Sequence, residues 1–277
     1  MLLVSRLFWP LAGLLTCLGV VVSAAGELEV GLVFPRENET YAPMKNFPVV
    51  FAVRNPKATE HLQLSIYSFI RNGTYLQDAV GHSDRSLAGA NFTTDPYFVS
   101  HYVDLDTEGP HMLFAAVSWE YCGKPFRYRG ELVDQLGFVS NTINIGATFT
   151  IKKGAQEVDL VAATASGKNC TARSGFAITV SDKTHEVEAY AEMPAGTCAV
   201  LASPSPTLSA EACRVKLDAA TTSSMAAEWH DIMCGWAEWL RPADCPKDEE
   251  NSVAQLAVAG VASLAAALGA IGFLLLA

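Results

Sequence analysis

Basic residues are scarce in this sequence of 277 amino acids. Lys and Arg number 19 against 29 Asp and Glu, which gives a formal net charge of −10 at pH 7. A surface of this sign repels the phosphates of nucleic acids and the headgroups of anionic lipids. The composition therefore excludes nucleic acid as a partner.

The sequence also lacks the short motifs that carry common chemistry. It contains no G-x-S-x-G, no GxxxxGK[ST] and no GxGxxG, the patterns of a nucleophile elbow, a phosphate loop and a dinucleotide site. The closest cysteines, Cys234 and Cys245, have ten residues between them, whereas zinc sites use pairs such as C-x₂-C. We expect no catalytic residue, no cofactor and no metal.

The N-terminal segment has the layout of a secretory signal. One cation, Arg6, precedes the apolar run 7–22, and small residues follow it. This order of charge, apolar core and small cleavage site predicts a signal peptide over residues 1–25, cleaved after Ala24 or Ala25. Removing Arg6 changes the formal charge from −10 to −11.

The C-terminal segment 253–277 has no charged residue and exceeds the roughly 20 residues that a membrane helix needs. No Lys or Arg follows it to fix an orientation, which favours a glycosylphosphatidylinositol (GPI) signal with attachment at Asn251 or Ser252. A transmembrane helix stays open as the alternative. Either tether places the protein on the outer face of the plasma membrane or in the cell wall.

Six cysteines remain after the signal peptide, and a seventh, Cys17, lies within it. An even number in an exported chain predicts three disulfides, and the sequence leaves 15 connectivities open. The six are Cys122, Cys170, Cys198, Cys213, Cys234 and Cys245.

Four triplets match the N-glycosylation signal, with no Pro in the middle position. Given the predicted signal peptide, we expect glycans on most of them, and the first three lie in turn-like segments. Their acceptors are Asn38, Asn72, Asn91 and Asn169.

Alternation of apolar and polar residues predicts an all-β fold. Period two recurs in 28–34, 47–53, 62–66, 99–105 and 113–121, and again in 149–151, 158–160, 176–180, 187–193, 213–217 and 225–229. No segment between 27 and 250 shows a helical stripe. Short strands between turn signals favour an Ig-like antiparallel β-sandwich.

We expect two small sandwiches stapled by disulfides, with a hydrophobic C-terminal helix. The predicted parts are a signal peptide at 1–25, an N-terminal sandwich at 26–146, a Cys-rich β-domain at 147–245, a short acidic stalk at 246–252 and the apolar tail at 253–277.

Aromatic residues offer one alternative function, because sugar rings stack on exposed aromatic faces. The candidate sugar contacts are Trp119, Tyr121, Trp236 and Trp239, although Trp and Tyr also fill sandwich cores. A glycosidase would need two carboxylates across a cleft, and Glu120 and Glu228 are the nominees.

The segments GELEVGLVFPRENETYAP, FPVVFAVRNP and EGPHMLFAAVSWEYC resemble a group of secreted proteins of filamentous fungi that share an uncharacterised extracellular domain. The resemblance covers residues 26–245 and implies a fungal surface or wall protein without established catalytic residues. The sequence therefore favours a non-enzymatic, membrane-tethered glycoprotein that organises or contacts the wall, with a carbohydrate-binding module or a glycosidase as alternatives.

Overall fold

The computed structural model describes residues 26–73, 79–203, 205–236 and 241–246. The chain forms two compact units, one ending at Thr222 and the other beginning at Ser223. The predicted signal peptide at 1–25, the apolar tail at 253–277, Asn251, Ser252 and Trp239 lie outside the described residues. Among the described residues no helix is both long and apolar enough to cross a membrane.

Strands dominate the described part of the chain, and three disulfides crosslink it, which confirms the predicted all-β, disulfide-stapled fold class. The strands are β1 (Glu27–Phe34), β2 (Thr40–Tyr41), β3 (Met44–Arg54), β4 (Ser65–Asn72), β5 (Ala79–Ser86), β6 (Tyr97–Leu105), β7 (Gly109–Gly123), β8 (Phe126–Tyr128), β9 (Glu131–Val133), β10 (Gly137–Ile151), β11 (Gly175–Val187), β12 (Gly196–Leu201) and β13 (Thr207–Leu208). Two α-helices accompany them, α1 (Leu160–Thr164) and α2 (Ala219–Cys234).

Two antiparallel sheets make up most of the first unit. The first sheet has the strand order β12-β11-β1-β3-β6, with β13 paired to β11. The second has the order β2-β10-β7-β4-β5, in which only the short β2 runs parallel to its neighbour among the described strands. Strands β8 and β9 form a separate hairpin.

Aromatic side chains join the inner faces of the two sheets. Phe47 on β3 stacks on Phe149 of β10 with ring centroids 5.4 Å apart, and Trp119 on β7 stacks on Phe176 of β11 at the same distance. All four rings are buried. These contacts are of the kind that a sandwich makes between its sheets, and the Ig-like arrangement stays a prediction.

The predicted boundary between two sandwiches at 146/147 is wrong. Strand β10 runs without interruption from Gly137 to Ile151, so the boundary falls inside a strand. Strand β11, from the second half of the sequence, pairs along the edge of β1. Both halves therefore build one sheet, and the register that joins them is not visible in local alternation.

The central strand β1 is buried on both faces from Leu28 to Phe34. The absence of a side chain at Gly31 lets another segment approach the outer face of β1 closely. A Cβ atom at this position would lie 2.6 Å from the backbone nitrogen of Cys213 and 2.8 Å from Ala212 Cβ. The turn Ala212–Arg214 thus packs directly on β1, and a disulfide to Cys170 holds it.

Three segments predicted as strands are not strands. The segment 158–160 leads into α1, which Asp159 caps by accepting hydrogen bonds from the backbone nitrogens of Val161 and Ala162. The segment 213–217 begins within the turn that covers β1. Residues 225–229 lie in α2, where the Asp218 carboxylate accepts from the backbone nitrogen of Thr221. Alanine favours helix, and residues four apart, such as Met225 and Trp229, lie on the same face of a helix. The apolar spacing in this segment therefore fits a helix as well as a strand, and the strand prediction was wrong.

Buried His101 should make the stability of the fold depend on pH. Its ring lies on the inner side of β6, and desolvation together with the nearby charge of Arg85 lowers its pKa from 6.5 to about 4. The unfolded chain binds this proton near pH 6.5, so the native state loses stability as the pH falls from 6.5 towards 4. The shift corresponds to about 3 kcal/mol.

We therefore expect His101→Phe to reduce the fall in the free energy of unfolding between pH 6.5 and pH 4 by about 3 kcal/mol. Urea denaturation at several pH values measures this quantity. Replacing the exposed His185 with Asn is the control and should leave the pH dependence unchanged. Equal pH dependence in wild type and His101→Phe would contradict the assignment.

Candidate functional site

The outer face of the second sheet carries a continuous group of aromatic side chains. On β4, Ile66, Ser68 and Ile70 point into the core, so Tyr67 and Phe69 point outward. On β7, the buried residues His111, Leu113 and Ala115 alternate with the outward Met112 and Phe114. We define the aromatic face as Tyr67, Phe69, His82, Met112 and Phe114.

Strand pairing places these side chains against one another. Phe69 lies directly opposite Phe114 in the β4–β7 register. The Phe69 ring is the centre of the group, with centroids 5.2 Å from Phe114, 5.6 Å from His82 and 5.8 Å from Tyr67. The guanidinium carbon of Arg71 lies 5.0 Å from the Phe69 centroid. The side chains of the aromatic face therefore pack into one continuous surface rather than standing as separate rings.

A bulge brings His82 onto this face. The β4–β5 register shifts between Ser68 and Ile70, and Gly81 adopts a φ of 66° beside it. A Cβ atom on Gly81 would lie 2.6 Å from Val103, so glycine is required there both for conformation and for space. Nδ1 of His82 then lies 2.8 Å from the Tyr67 hydroxyl oxygen.

Exposure differs across the aromatic face. Tyr67 and Met112 are each 38 % exposed, His82 is exposed and Phe114 is half-buried, while Phe69 is almost covered by its neighbours. Phe69 thus supports the outer rings, and Tyr67 and Phe114 present aromatic surface to solvent.

A groove of about 160 Å³ borders Phe114. Gly146, which pairs with Phe114, lines this groove, and a Cβ atom there would collide with the carbonyl oxygen of Leu113 at 2.2 Å. The polar lining comprises Glu37, Asn144, Thr148 and Arg173. The Glu37 carboxylate accepts from the Thr148 backbone nitrogen at 3.0 Å and from its hydroxyl at 2.6 Å.

Aromatic rings beside fixed polar groups suit a ligand with both apolar and hydroxylated surfaces. Rings such as Tyr67 and Phe114 stack on the C–H faces of a sugar, and amide, hydroxyl and guanidinium groups hydrogen-bond its hydroxyls. The groove next to Phe114 supplies both kinds of contact.

Of the residues predicted as sugar contacts, Trp119, Tyr121 and Trp236 are not members of the aromatic face, and Trp239 lies outside the described residues. Trp119 is 1 % exposed and stacks in the core, so the prediction is wrong for this residue. Tyr121 is half-buried near the end of β7. Trp236 is 40 % exposed in the second unit, where it makes an edge-to-face contact with Trp229 at 5.6 Å.

The aromatic face was not predicted from the sequence, because only tryptophan-containing segments were considered as sugar contacts and each strand was assessed by its buried side. The signal was present in β4, whose sequence SIYSFIRN has apolar residues on both faces. A strand with aromatic residues on its outward positions indicates either a second packing partner or a binding surface.

A second cavity, of about 230 Å³, contains Glu39, Glu157 and Asp159 together with Arg36 and Lys168. Its carboxylates largely serve local structure. Asp159 caps α1, and Glu39 Oε1 accepts from Asn169 Nδ2 at 2.5 Å. Of the glycosidase nominees, Glu120 accepts from the Ser140 hydroxyl, and Glu228 lies on α2 in the second unit.

The disulfides resolve the connectivity that the sequence left open. Cys122 pairs with Cys198 and joins β7 to β12, Cys170 pairs with Cys213, and Cys234 pairs with Cys245. His230 lies close to the last pair, and the ligand atoms of these three residues lie within 4.8 Å of one another. Because both sulfur atoms are bonded to each other in the disulfide, they do not act as thiolate ligands of a metal.

A family model described as a domain of unknown function (DUF7136) matches residues 23–245. The chain belongs to this family. The DUF7136 match crosses the predicted boundary at 146/147, as β10 does, and confirms the resemblance to an uncharacterised domain family; the fungal source stays a prediction. No curated protein matches the chain.

Three of the four glycosylation acceptors, Asn38, Asn91 and Asn169, are exposed. Asn72 is only 9 % exposed and lies in β4 rather than in the expected turn. We therefore expect glycans on the three exposed residues and none on Asn72.

Enzymatic deglycosylation in heavy-oxygen water, followed by peptide mass spectrometry, reads each acceptor separately. Asn→Gln at position 38, 91 or 169 should each remove one glycan from the secreted protein, whereas Asn72→Gln should leave its mass on a gel unchanged. A glycan found on Asn72 would contradict this expectation.

Proposed function

We propose that the protein is a non-enzymatic extracellular glycoprotein that binds polysaccharide through the aromatic face. The observation that carries the proposal is the outward group of Tyr67, Phe69 and Phe114 beside the polar groove at Gly146. The ligand is a neutral polysaccharide of a cell wall, because stacking and hydroxyl contacts need no charge on the sugar.

In this proposal the protein acts at the cell surface. Three disulfides are typical of an oxidising, extracellular or secretory environment. The tether is a lipid on Asn251 or Ser252, or a membrane-spanning tail. Treatment of intact cells with a phosphatidylinositol-specific phospholipase C distinguishes these two tethers.

Substitutions on the aromatic face test the binding function. Tyr67→Ala and Phe114→Ala should each weaken binding to insoluble chitin or β-glucan by about tenfold, since each removes one stacking ring. Co-sedimentation of the secreted protein with each polysaccharide measures the affinity. Circular dichroism establishes that the variants stay folded, which we expect for Tyr67→Ala because the side chain is exposed.

Trp236→Ala is the matched control, because Trp236 is as exposed as Tyr67 but lies in the second unit. This variant should bind as wild type does. Loss of binding in Trp236→Ala together with full binding in Tyr67→Ala would refute the proposed site. Absence of binding to either polysaccharide by the wild-type protein would favour a purely structural role.

A further inference from the structure

The second unit contains a disulfide whose surroundings differ from those of the other two. Cys234, the last residue of α2, pairs with Cys245, and both residues are partly exposed. By contrast, Cys122 and Cys198 are both buried, and in the Cys170–Cys213 pair Cys213 is buried while Cys170 is partly exposed. External thiols can therefore reach both cysteines of the Cys234–Cys245 pair, whereas each of the other pairs contains at least one buried cysteine.

An imidazole lies beside this disulfide. His230 precedes Cys234 by one helical turn, and its Nδ1 and Nε2 atoms lie 3.7 Å and 4.0 Å from Cys234 Sγ. On its other side, His230 Nε2 lies 3.2 Å from a carboxylate oxygen of Asp244. The hydrogen bond from His230 lowers the pKa of the Asp244 carboxyl, so Asp244 places a carboxylate beside the ring.

Sulfur, imidazole and carboxylate in this order form the arrangement that activates cysteine in many sites. A protonated His230 stabilises a thiolate on Cys234, and Asp244 orients the ring and balances its charge. In a disulfide, the same stabilisation makes Cys234 a good leaving group.

We propose that Cys234–Cys245 is a redox-active disulfide that exchanges with external thiols. A thiolate attacks Cys245 Sγ, the sulfur–sulfur bond breaks, and its electron pair goes to Cys234 Sγ, which leaves as a thiolate beside His230. The product is a mixed disulfide on Cys245. A second thiolate attacks the external sulfur of this mixed disulfide, so that two external thiols become one disulfide and the protein pair is reduced.

The partner is a thiol of the extracellular space, either a small molecule such as glutathione or a cysteine of another surface protein. The external thiol is oxidised and the protein disulfide is reduced, so no further oxidant or reductant enters the step. Residue His230 is a positioning and charge-stabilising group for Cys234, and Asp244 acts through His230.

Differential alkylation tests the proposal on the full-length secreted protein. The protein is equilibrated in glutathione redox buffers at pH 7, and peptide mass spectrometry reads each cysteine pair. Cys234 and Cys245 should become reduced under conditions in which the Cys122–Cys198 and Cys170–Cys213 pairs stay oxidised. Reduction of all three pairs together, only when the protein unfolds, would overturn the proposal.

Two variants separate activation from simple exposure. His230→Asn should slow reduction of Cys234–Cys245 by glutathione about tenfold and alter the pH profile of the rate, and Asp244→Asn should show a smaller effect in the same direction. His61→Asn, a histidine in the first unit, is the control and should leave the rate unchanged. An unchanged rate and pH profile in His230→Asn, with wild-type thermal stability, would refute the role of His230.

Discussion

The position of β1 at the centre of the first sheet is the constraint on which the rest of the first unit depends. This strand pairs with β3 on one edge and with β11 on the other, and the turn at Cys213 covers its outer face through the close approach at Gly31. The contacts with β11 and with this turn bring residues from the second half of the sequence onto the first. We therefore expect the two halves to fold as one unit.

This constraint also determines which surface is free to bind. The central strands β1 and β3 are buried on both faces, so the middle of the first sheet is covered by other parts of the chain. The second sheet keeps the alternation of buried and exposed residues on β7. Its outer face is thus where a binding surface can form, and Tyr67 and Phe114 lie there. The exchangeable disulfide at Cys234 belongs to the second unit and does not depend on this face.

Local patterns predicted the strands better than they predicted how the strands assemble. Alternation found β1, β3, β6 and β7 because each has one apolar face repeated every second residue. It failed for 225–229, because apolar residues four apart satisfy both strand and helix spacing. The β1–β11 register could not be predicted, since it joins residues about 150 positions apart and leaves no local signal. The cysteine count predicted three disulfides but not their partners, which depend on that same assembly.

Expression of residues 26–146 alone tests most directly whether the two halves form one folded unit. We predict that this fragment does not fold cooperatively, because β1 loses β11 and the covering turn, and β10 is cut before Ile151. Residues 26–245 should give a single urea unfolding transition for the first unit and dispersed amide signals in nuclear magnetic resonance spectra. A cooperative unfolding transition and dispersed signals from residues 26–146 would contradict the account.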